Sequence, residues 1–352
     1  MIRYRLALCI LILGFISCRN QDGARPTEET RFLMDTAVRI SVYGQGMPDE
    51  KVRKAVDQAF QKMAEIEART SIHIDTSEVS RIVENGSRGV VPVSQETRWL
   101  FEKSMEISEK TGGAFDVTTG LVKALWGFDS DDPHVPNGRD MEKALRNVDY
   151  RFIQFEDGGV LLRRSGMRID LGGIAKGYIV DRAVEVLQEA GIQAGLVDAG
   201  GDMQVFGDHP KRHTWRIGIR HPRAEAGELL GVIETEEAAV ASSGDYERCF
   251  FQDGRRYHHI LDPRTGFPAE GCVSVTIVAE NALLADGYAT AVFVLGPEKG
   301  MALIERLPEI EGLIVYESEG KLQTVFSEGL CGKVQMMNSE SRIQNKKGSE
   351  GF

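Results

Sequence analysis

A short run between Arg168 and Tyr178 combines the residue types that bind phosphate. It reads Arg-Ile-Asp-Leu-Gly-Gly-Ile-Ala-Lys-Gly-Tyr, which predicts a strand ending at Asp170 and Leu171, a two-glycine turn, and a helix with Lys176 in its first turn. Paired glycines let the backbone approach a ligand closely, and free N–H groups at a helix start attract phosphate oxygens. The spacing matches neither G-x-x-x-x-G-K-[ST] nor G-x-G-x-x-G. We therefore expect a phosphorylated ligand at a different kind of turn, although a glycine pair is also common in ordinary turns.

A second chemical feature is the run Asp286-Gly-Tyr-Ala-Thr290, which lies within a predicted helix. Asp286 and Thr290 are four residues apart, so they share one helix face. A carboxylate and a hydroxyl on one face are ligands that Mg²⁺ accepts, because this hard cation prefers oxygen and few protein ligands. The alternative is an ordinary polar helix surface. Four further polar clusters carry the same ambiguity when taken singly: Gly112–Gly120, Asp198–Asp202, Ser242–Tyr246 and His258–Gly266.

The elements that must position these residues mix helices and strands without regular alternation. Apolar residues at helical spacing predict helices over residues 50–69, 96–111, 174–190, 282–295 and 297–307. Short alternating runs separated by tight turns predict consecutive strands, among them residues 152–155, 160–163 and 167–171, and a hairpin at Asp253-Gly254. Frequent hairpins favour an α+β fold with mixed, mainly antiparallel sheets and packed helices over a doubly wound parallel fold.

The bulk composition excludes some classes of protein. The chain has 352 residues, 42% of them hydrophobic, which suits a globular protein with a substantial core. Its formal net charge of −11 and its scattered basic residues argue against nucleic acid as a partner. Outside the first 18 residues the cysteines are Cys249, Cys272 and Cys331, whose spacing predicts neither a zinc site nor a disulfide framework. A single bridge between Cys249 and Cys272 stays open.

The first 18 residues have the organisation of an export signal. Arg3 and Arg5 precede an apolar run from Leu6 to Ile16 that is short for a membrane span. The run ends in Ser-Cys18, which resembles the lipobox of bacterial lipoproteins, where the cysteine becomes the lipidated first residue. We expect a signal peptide over residues 1–18, lipidation of Cys18, a polar tether over residues 19–31, and an exported protein anchored to a bacterial membrane. The alternative is an ordinary signal peptide with an incidental cysteine.

Together the polar clusters resemble the ApbE family of FAD:protein FMN transferases, over residues 32 to 326. The matching segments occur in the order of the family: Met34-Asp-Thr36, Ser77-Glu-Val-Ser-Arg81, Gly113-Ala-Phe-Asp-Val117, Asp170-Leu-Gly-Gly-Ile-Ala-Lys-Gly177, Gly200-Gly-Asp202, Ser243-Gly-Asp-Tyr246, His259-Ile-Leu-Asp-Pro-Arg-Thr-Gly266 and Asp286-Gly-Tyr-Ala-Thr290. The resemblance implies a T-fold-related architecture, with the family domain over residues 32–330 and a polar tail over residues 331–352.

The resemblance also implies an activity and a site. Members of the family split FAD and attach its FMN half through a phosphoester to a threonine of an acceptor protein, releasing AMP. By this comparison Asp286, Thr290 and the carbonyl of Gly173 bind Mg²⁺, Asp286 also counts as catalytic, and His259 takes part in catalysis and contacts the nucleotide. The remaining flavin- or nucleotide-contacting positions are Met34, Ala114, Phe115, Asp116, Asp170 and Lys176. The implied acceptor is a subunit of a membrane redox complex.

The sequence departs from the family pattern at a few positions. Asp35 stands where glycine is usual, His73 where tyrosine is common, and Val83 where asparagine is usual, and Gly287-Tyr288 replaces Ala-Leu between the expected metal ligands. None of these changes removes an expected metal ligand or His259. Two alternative functions stay open, namely hydrolysis of FAD to FMN and AMP at the same site, and flavin binding without catalysis. A solute-binding lipoprotein has only the leader in its favour.

Overall fold

A nine-stranded sheet forms the centre of the protein. The computed structural model describes residues 25–225, 227–337 and 342–343. The strands of this sheet lie in the order β1-β2-β6-β7-β10-β13-β14-β15-β17 and are antiparallel except for the last pair. Their bounds are Thr27–Leu33 (β1), Thr36–Tyr43 (β2), Ala194–Ala199 (β6), Asp202–Phe206 (β7), Ala238–Gly244 (β10), Ser274–Ala279 (β13), Ile310–Ser318 (β14), Lys321–Phe326 (β15) and Arg342–Ile343 (β17).

The two faces of this sheet are covered differently, as the alternation of side chains along a strand requires. Val38, Ile40 and Val42 face a large core beneath helices α1 (Asp49–Thr70), α6 (Ala175–Glu189) and α7 (Ala282–Arg306). Val240 and Leu313 face the opposite side, which is covered by a three-stranded sheet of β8 (Trp215–Arg220), β9 (Leu229–Thr235) and β16 (Val334–Met336). The central sheet is thus enclosed on both sides.

Smaller elements complete the fold at one end of the large sheet. Helices α2 (Glu78–Asn85) and α3 (Gln95–Lys110) lie beside a small sheet of β3 (Val91–Pro92), β4 (Ile153–Glu156) and β5 (Gly159–Leu162). Helices α4 (Gly120–Trp126) and α5 (Gly138–Leu145) pack around buried Trp126 together with a two-stranded hairpin of β11 (Cys249–Gln252) and β12 (Arg255–His258). This third, aromatic cluster places the base of the hairpin beside the central layer.

The fold confirms the predicted α+β class and most of the predicted elements, with instructive differences. Residues 167–171 form no strand ladder, because they lie along a loop. Their contacts there are the Asp170 N–H to Val117 carbonyl bond, at 2.7 Å, and an isolated bridge from Arg168 to Thr119. The two helices expected at residues 282–295 and 297–307 are confirmed, because helical geometry breaks at Gly296 (φ +79°) and α7 consists of two helices joined at this kink, just before Pro297. The sequence analysis also missed α2, α4 and β10.

Both ends of the folded region reach beyond the boundaries expected from the sequence. Strand β1 begins at Thr27, inside the expected tether, because all seven of its residues pair with β2. Strand β16 lies inside the expected polar tail and pairs with β9, so that Val334 is opposite Ile233. The predicted signal peptide and Cys18 lie outside the described residues. Among the described helices, none is long and apolar enough to cross a membrane, and Cys249 and Cys272 are unbridged thiols.

Candidate active site

One cleft of about 420 Å³ gathers every predicted site residue of the described chain. It opens between the helical layer, the edge of the central sheet and the base of the β11–β12 hairpin. The predicted residues that line it are Met34, Ala114, Phe115, Asp116, Asp170, Gly173, Lys176, His259, Asp286 and Thr290. Residues far apart in the sequence therefore meet, as the ordered motifs required.

The floor of the cleft is the turn at Gly172-Gly173 and the start of α6. Asp170 Oδ1 accepts the N–H of Gly172 at 2.7 Å, which fixes the turn. In the first turn of α6, the N–H of Gly177 donates to Asp286 Oδ2 at 3.1 Å. A Cβ at Gly177 would overlap the carbonyl of Ala282, so glycine is needed for this close approach of α6 to α7. The amino ends of both helices consequently meet at the floor.

The expected metal ligands lie together on this floor. Asp286 is 5% exposed, and its carboxylate accepts the Gly177 N–H. A Cβ added to Gly173 would lie 3.2 Å from Thr290 Oγ1, which places the Gly173 backbone beside that hydroxyl. Within the described ranges no group of three or more His, Cys, Asp or Glu side chains could hold a metal. The oxygen set of one carboxylate, one hydroxyl and one carbonyl still fits a hard cation that keeps some of its waters.

Asp202 joins this group, although it was not among the predicted site residues. It follows the Gly200-Gly201 turn, its side chain is 4% exposed, and it forms an ion pair with Lys176. Burial and the charge of Asp202 together raise the pKa of Asp286 to about 7, against the opposing charge of Lys176. Burial lowers the pKa of Lys176, but Asp202 and Asp286 outweigh it and raise that pKa overall. Lys176 is thus a fixed cation between two buried carboxylates.

Two further cations in the cleft escaped the sequence analysis. Lys123 on α4 forms an ion pair with Asp170, and Arg248, which directly precedes β11, forms one with Asp129. Burial alone would raise the pKa of Asp170, yet the charge and hydrogen bond of Lys123 hold it below its ordinary value. The missed signal for Lys123 was its position one helical turn after Thr119, at the end of a polar cluster that the sequence analysis had noted.

His259 lies at the base of the hairpin, facing the cleft. Its backbone N–H donates to the carbonyl of Arg248 at 3.0 Å, and its buried Nδ1 has no hydrogen-bond partner in the described structure. Burial, with the charges of Lys123 and Arg248, lowers the pKa of His259 to about 3. The ring is therefore neutral at physiological pH and can accept a proton.

Neighbouring His258 has a different environment. It is buried against Phe293, with ring centroids 5.4 Å apart, and its Nε2 donates to the carbonyl of Ala269 at 3.1 Å. It does not line the cleft. His258 is therefore a core residue.

The remaining predicted positions line the other side of the cleft. Ala114 and Phe115 are buried there, and Met34 stands at the tip of the β1–β2 hairpin with its N–H donating to Glu67 Oε1 at 2.9 Å. Asp116 also lines the cleft, but its carboxylate accepts the Thr118 N–H at 2.8 Å and the Tyr150 N–H at 2.9 Å. These bonds tie two loops together, so Asp116 shapes the cleft while its oxygens are engaged within the protein.

A cleft lined by buried carboxylates, fixed cations and a neutral histidine is suited to binding a phosphorylated ligand. The chain belongs to the ApbE family, whose model matches residues 34–314. It is 32% identical to the FAD:protein FMN transferase of Treponema pallidum, with 96% of each chain covered, and 32% identical to that of Klebsiella pneumoniae, with 81% of this chain and 88% of the relative covered.

Solved structures agree with the family assignment. The ApbE protein of Thermotoga maritima superimposes with a TM-score of 0.80 at 36% identity, covering 88% of this chain and 99% of that one. The flavin transferase ApbE of Vibrio cholerae does so with a TM-score of 0.78 at 29% identity, over 88% and 99%. The resemblance inferred from the sequence motifs is confirmed, as is the predicted fold class.

Proposed function

We propose that this protein is a flavin transferase that cleaves FAD and attaches the FMN half to a threonine of an acceptor protein. The observation that carries the proposal is the convergence of Lys176, Asp286, Thr290 and His259 on one cleft. Cations beside a neutral base suit attack by a hydroxyl on a pyrophosphate. The names of the curated relatives support flavin transfer to a protein.

The proposed reaction balances without a further reactant. The threonine oxygen forms a bond to the phosphorus of the FMN half, and the bond from that phosphorus to the bridging oxygen breaks. AMP leaves with the bridging oxygen, and the threonine proton passes to the protein. The products are an FMN phosphoester and AMP.

His259 is the base in this proposal. Threonine is a weak nucleophile at neutral pH, so a positioned proton acceptor speeds its attack. The ring of His259 is neutral and lines the cleft. The nearby cations Lys123 and Arg248 lower the pKa of the ring and so weaken it as a base, and the negative charge of a bound pyrophosphate beside these cations would oppose that effect.

Asp286, Thr290 and the Gly173 carbonyl would hold Mg²⁺. When bound, this ion would neutralise charge on the pyrophosphate. The protein residues do the rest of the work at the floor of the cleft: Lys176 supplies a fixed positive charge, and the Gly177 N–H orients the Asp286 carboxylate.

The test combines the full chain, FAD, MgCl₂ and candidate acceptor subunits of membrane redox complexes. Flavin fluorescence on an acceptor band in a denaturing gel is the expected result, with AMP released in equal amount. The His259→Ala variant should retain FAD binding and lose transfer. The control is His258→Ala, which changes the neighbouring histidine outside the cleft and should retain transfer. Free FMN with an unlabelled acceptor would instead establish hydrolysis, and intact FAD would establish binding alone.

We further propose that the protein is exported and anchored through a lipid on Cys18. The charged start, the apolar run to Ile16 and the Ser-Cys18 pair support this proposal. It would place the cleft near membrane-bound acceptors that face the periplasm or the cell exterior. Labelling cells with a fatty-acid analogue tests it: the full chain should be labelled and sediment with membranes, and Cys18→Ser should abolish both. An unlabelled, freely soluble full chain would refute the anchor.

A further inference from the structure

We propose that Arg248 is a substrate-binding residue that contacts the pyrophosphate, and that Asp129 is the counter-ion it leaves when the substrate enters. This assignment rests on the proposed function, and it adds to it a residue that the sequence motifs did not single out. Both side chains line the cleft and form an ion pair with each other across 119 positions of sequence.

The three cations of the cleft differ in how firmly they are held. Lys176 pairs with Asp202, whose side chain is 4% exposed, and Lys123 pairs with Asp170, which is 11% exposed. Both carboxylates are anchored in the floor. Arg248 pairs instead with Asp129, which is 49% exposed and belongs to the loop between α4 and α5. Exposed ion pairs of this kind shift an equilibrium by about five-fold at most, so Arg248 is the cation that can exchange its partner at little cost.

The position of Arg248 is suited to the reacting groups. Its carbonyl accepts the N–H of His259 at 3.0 Å, so the two residues face each other at the base of the β11–β12 hairpin. The charge of Arg248 acts on both His259 and Lys176, because it tends to lower the pKa of each. A phosphate group within reach of the histidine is therefore also within reach of the guanidinium.

The chemistry of the side chain matches this task. A guanidinium can give two parallel N–H bonds to phosphate oxygens, which fixes orientation as well as charge. Lys176 acts from the floor as a point charge, whereas Arg248 acts from the hairpin wall. Phosphate and Asp129 compete for the same guanidinium, so binding of FAD would break the ion pair between Arg248 and Asp129 and free the carboxylate.

The competition predicts effects of opposite sign for the two partners. FAD affinity is measured from the quenching of flavin fluorescence, on the purified enzyme with MgCl₂. Arg248→Gln should weaken FAD binding about 10- to 100-fold, because charge-assisted hydrogen bonds are lost. Asp129→Asn should tighten it by about two- to five-fold, since the competitor is gone. In the double variant the gain from Asp129→Asn should disappear.

Controls separate this role from a structural one. Arg255→Gln removes an exposed arginine of the same hairpin, which pairs with Glu270, and it should leave FAD affinity unchanged. Arg248→Lys keeps the charge and should recover part of the affinity. Equal signs for Arg248→Gln and Asp129→Asn, or an Arg248→Gln effect no larger than that of Arg255→Gln, would overturn the assignment. FMN transfer is assayed in parallel: its absence alongside the opposite-sign binding pattern would refute the proposed function and leave the assignment of Arg248 standing.

Discussion

Two turns of this protein have the same letters, Asp-x-Gly-Gly, and use their glycines for different physical reasons. In the first, Asp170 Oδ1 accepts the N–H of Gly172 at 2.7 Å; in the second, Asp198 Oδ1 accepts the N–H of Gly201 at 2.9 Å. Gly200 and Gly201 have φ of +65° and +103°, whereas the first turn contains no positive φ. The second turn therefore needs glycine for its backbone conformation, and the first needs it for space.

The aspartates of the two turns also differ in function. Asp170 faces the cleft and pairs with Lys123, while Asp198 lies outside the cleft lining and faces Arg39 at 3.7 Å. Each turn nevertheless delivers one member of the central ion pair, Lys176 after the first and Asp202 after the second. Both Asp-x-Gly-Gly turns thus contribute a residue to the site, but their aspartates have different roles.

The two turns should differ most in how much stability is lost when the charge of their aspartate is removed. Asp170→Asn should lower the free energy of unfolding by about 2 kcal/mol, because it leaves Lys123 without its counter-ion in a partly desolvated site. Asp198→Asn should lower it by less than about 0.5 kcal/mol, since the amide still accepts the Gly201 N–H and the lost ion pair is exposed. Urea unfolding followed by circular dichroism measures both. Equal losses would mean that the two aspartates are equivalent structural residues.

Alanine substitutions should distinguish a glycine that is needed for lack of space from one that is needed for its backbone conformation. Gly201→Ala has no atom within 4 Å of its new Cβ but forces a positive φ, so it should cost about 1–2 kcal/mol of stability and leave transfer by the folded enzyme unchanged. Gly173→Ala should cost less stability, yet its Cβ would lie 3.2 Å from Thr290 Oγ1 and should raise the Mg²⁺ concentration needed for transfer about ten-fold. Thermal unfolding and a Mg²⁺ titration of the transfer rate distinguish these effects. A larger loss of stability in Gly173→Ala than in Gly201→Ala, or a raised Mg²⁺ requirement in Gly201→Ala, would contradict this difference between the two turns.

Asp286, whose carboxylate interacts with the charges of Lys176 and Asp202, should make the stability of the protein depend on pH. The pKa of Asp286 is raised to about 7 by burial and by Asp202, so the folded protein binds more protons than the unfolded chain between about pH 4 and 7. Its contribution to stability is present at low pH and is lost as pH rises through about 7. In EDTA, Asp286→Asn should therefore be more stable than the native sequence at pH 8, by about 1 kcal/mol or more, and this difference should be clearly smaller at pH 5.

Exposed Asp253 provides the control for this measurement. Its turn conformation, at φ +52°, also suits asparagine, so Asp253→Asn should show no such pH-dependent difference. A constant difference between Asp286→Asn and the native sequence at both pH values would refute the assigned charge interaction.

The smallest expected effect concerns a positive φ that lacks glycine. Asp35 has φ +55° at the tip of the β1–β2 hairpin, where the family pattern has glycine. Asp35→Gly should stabilise the protein by about 0.5 kcal/mol, because glycine adopts this conformation without steric cost. Asp35→Asn keeps a side chain that tolerates it and should change stability little. Loss of stability in Asp35→Gly, measured by urea unfolding, would show that the aspartate side chain itself contributes to the hairpin.

Much of the site was predictable from the sequence because its motifs are local. The glycine turn and the helix carrying Lys176 follow from spacing, and so does the common face of Asp286 and Thr290. Asp202, Lys123 and Arg248 were missed as site residues because each acts through a partner distant in sequence. Residues 167–171 were wrongly expected to form a strand, since an apolar extended run looks the same whether it pairs with a strand or with a loop.

The sequence by itself determined the fold class, the family and the identity of ten residues that line the cleft. Periodicity and ordered motifs are properties of the chain alone, and neither depends on knowing which segments touch. Only the tertiary structure decided how the charges are distributed: Lys176 held between two buried carboxylates, His259 neutral, Asp116 engaged within the protein, and Arg248 on a weak counter-ion. The reason is that pairing energy and desolvation depend on distance and burial, which are fixed only when the helical layer, the sheet and the hairpin meet.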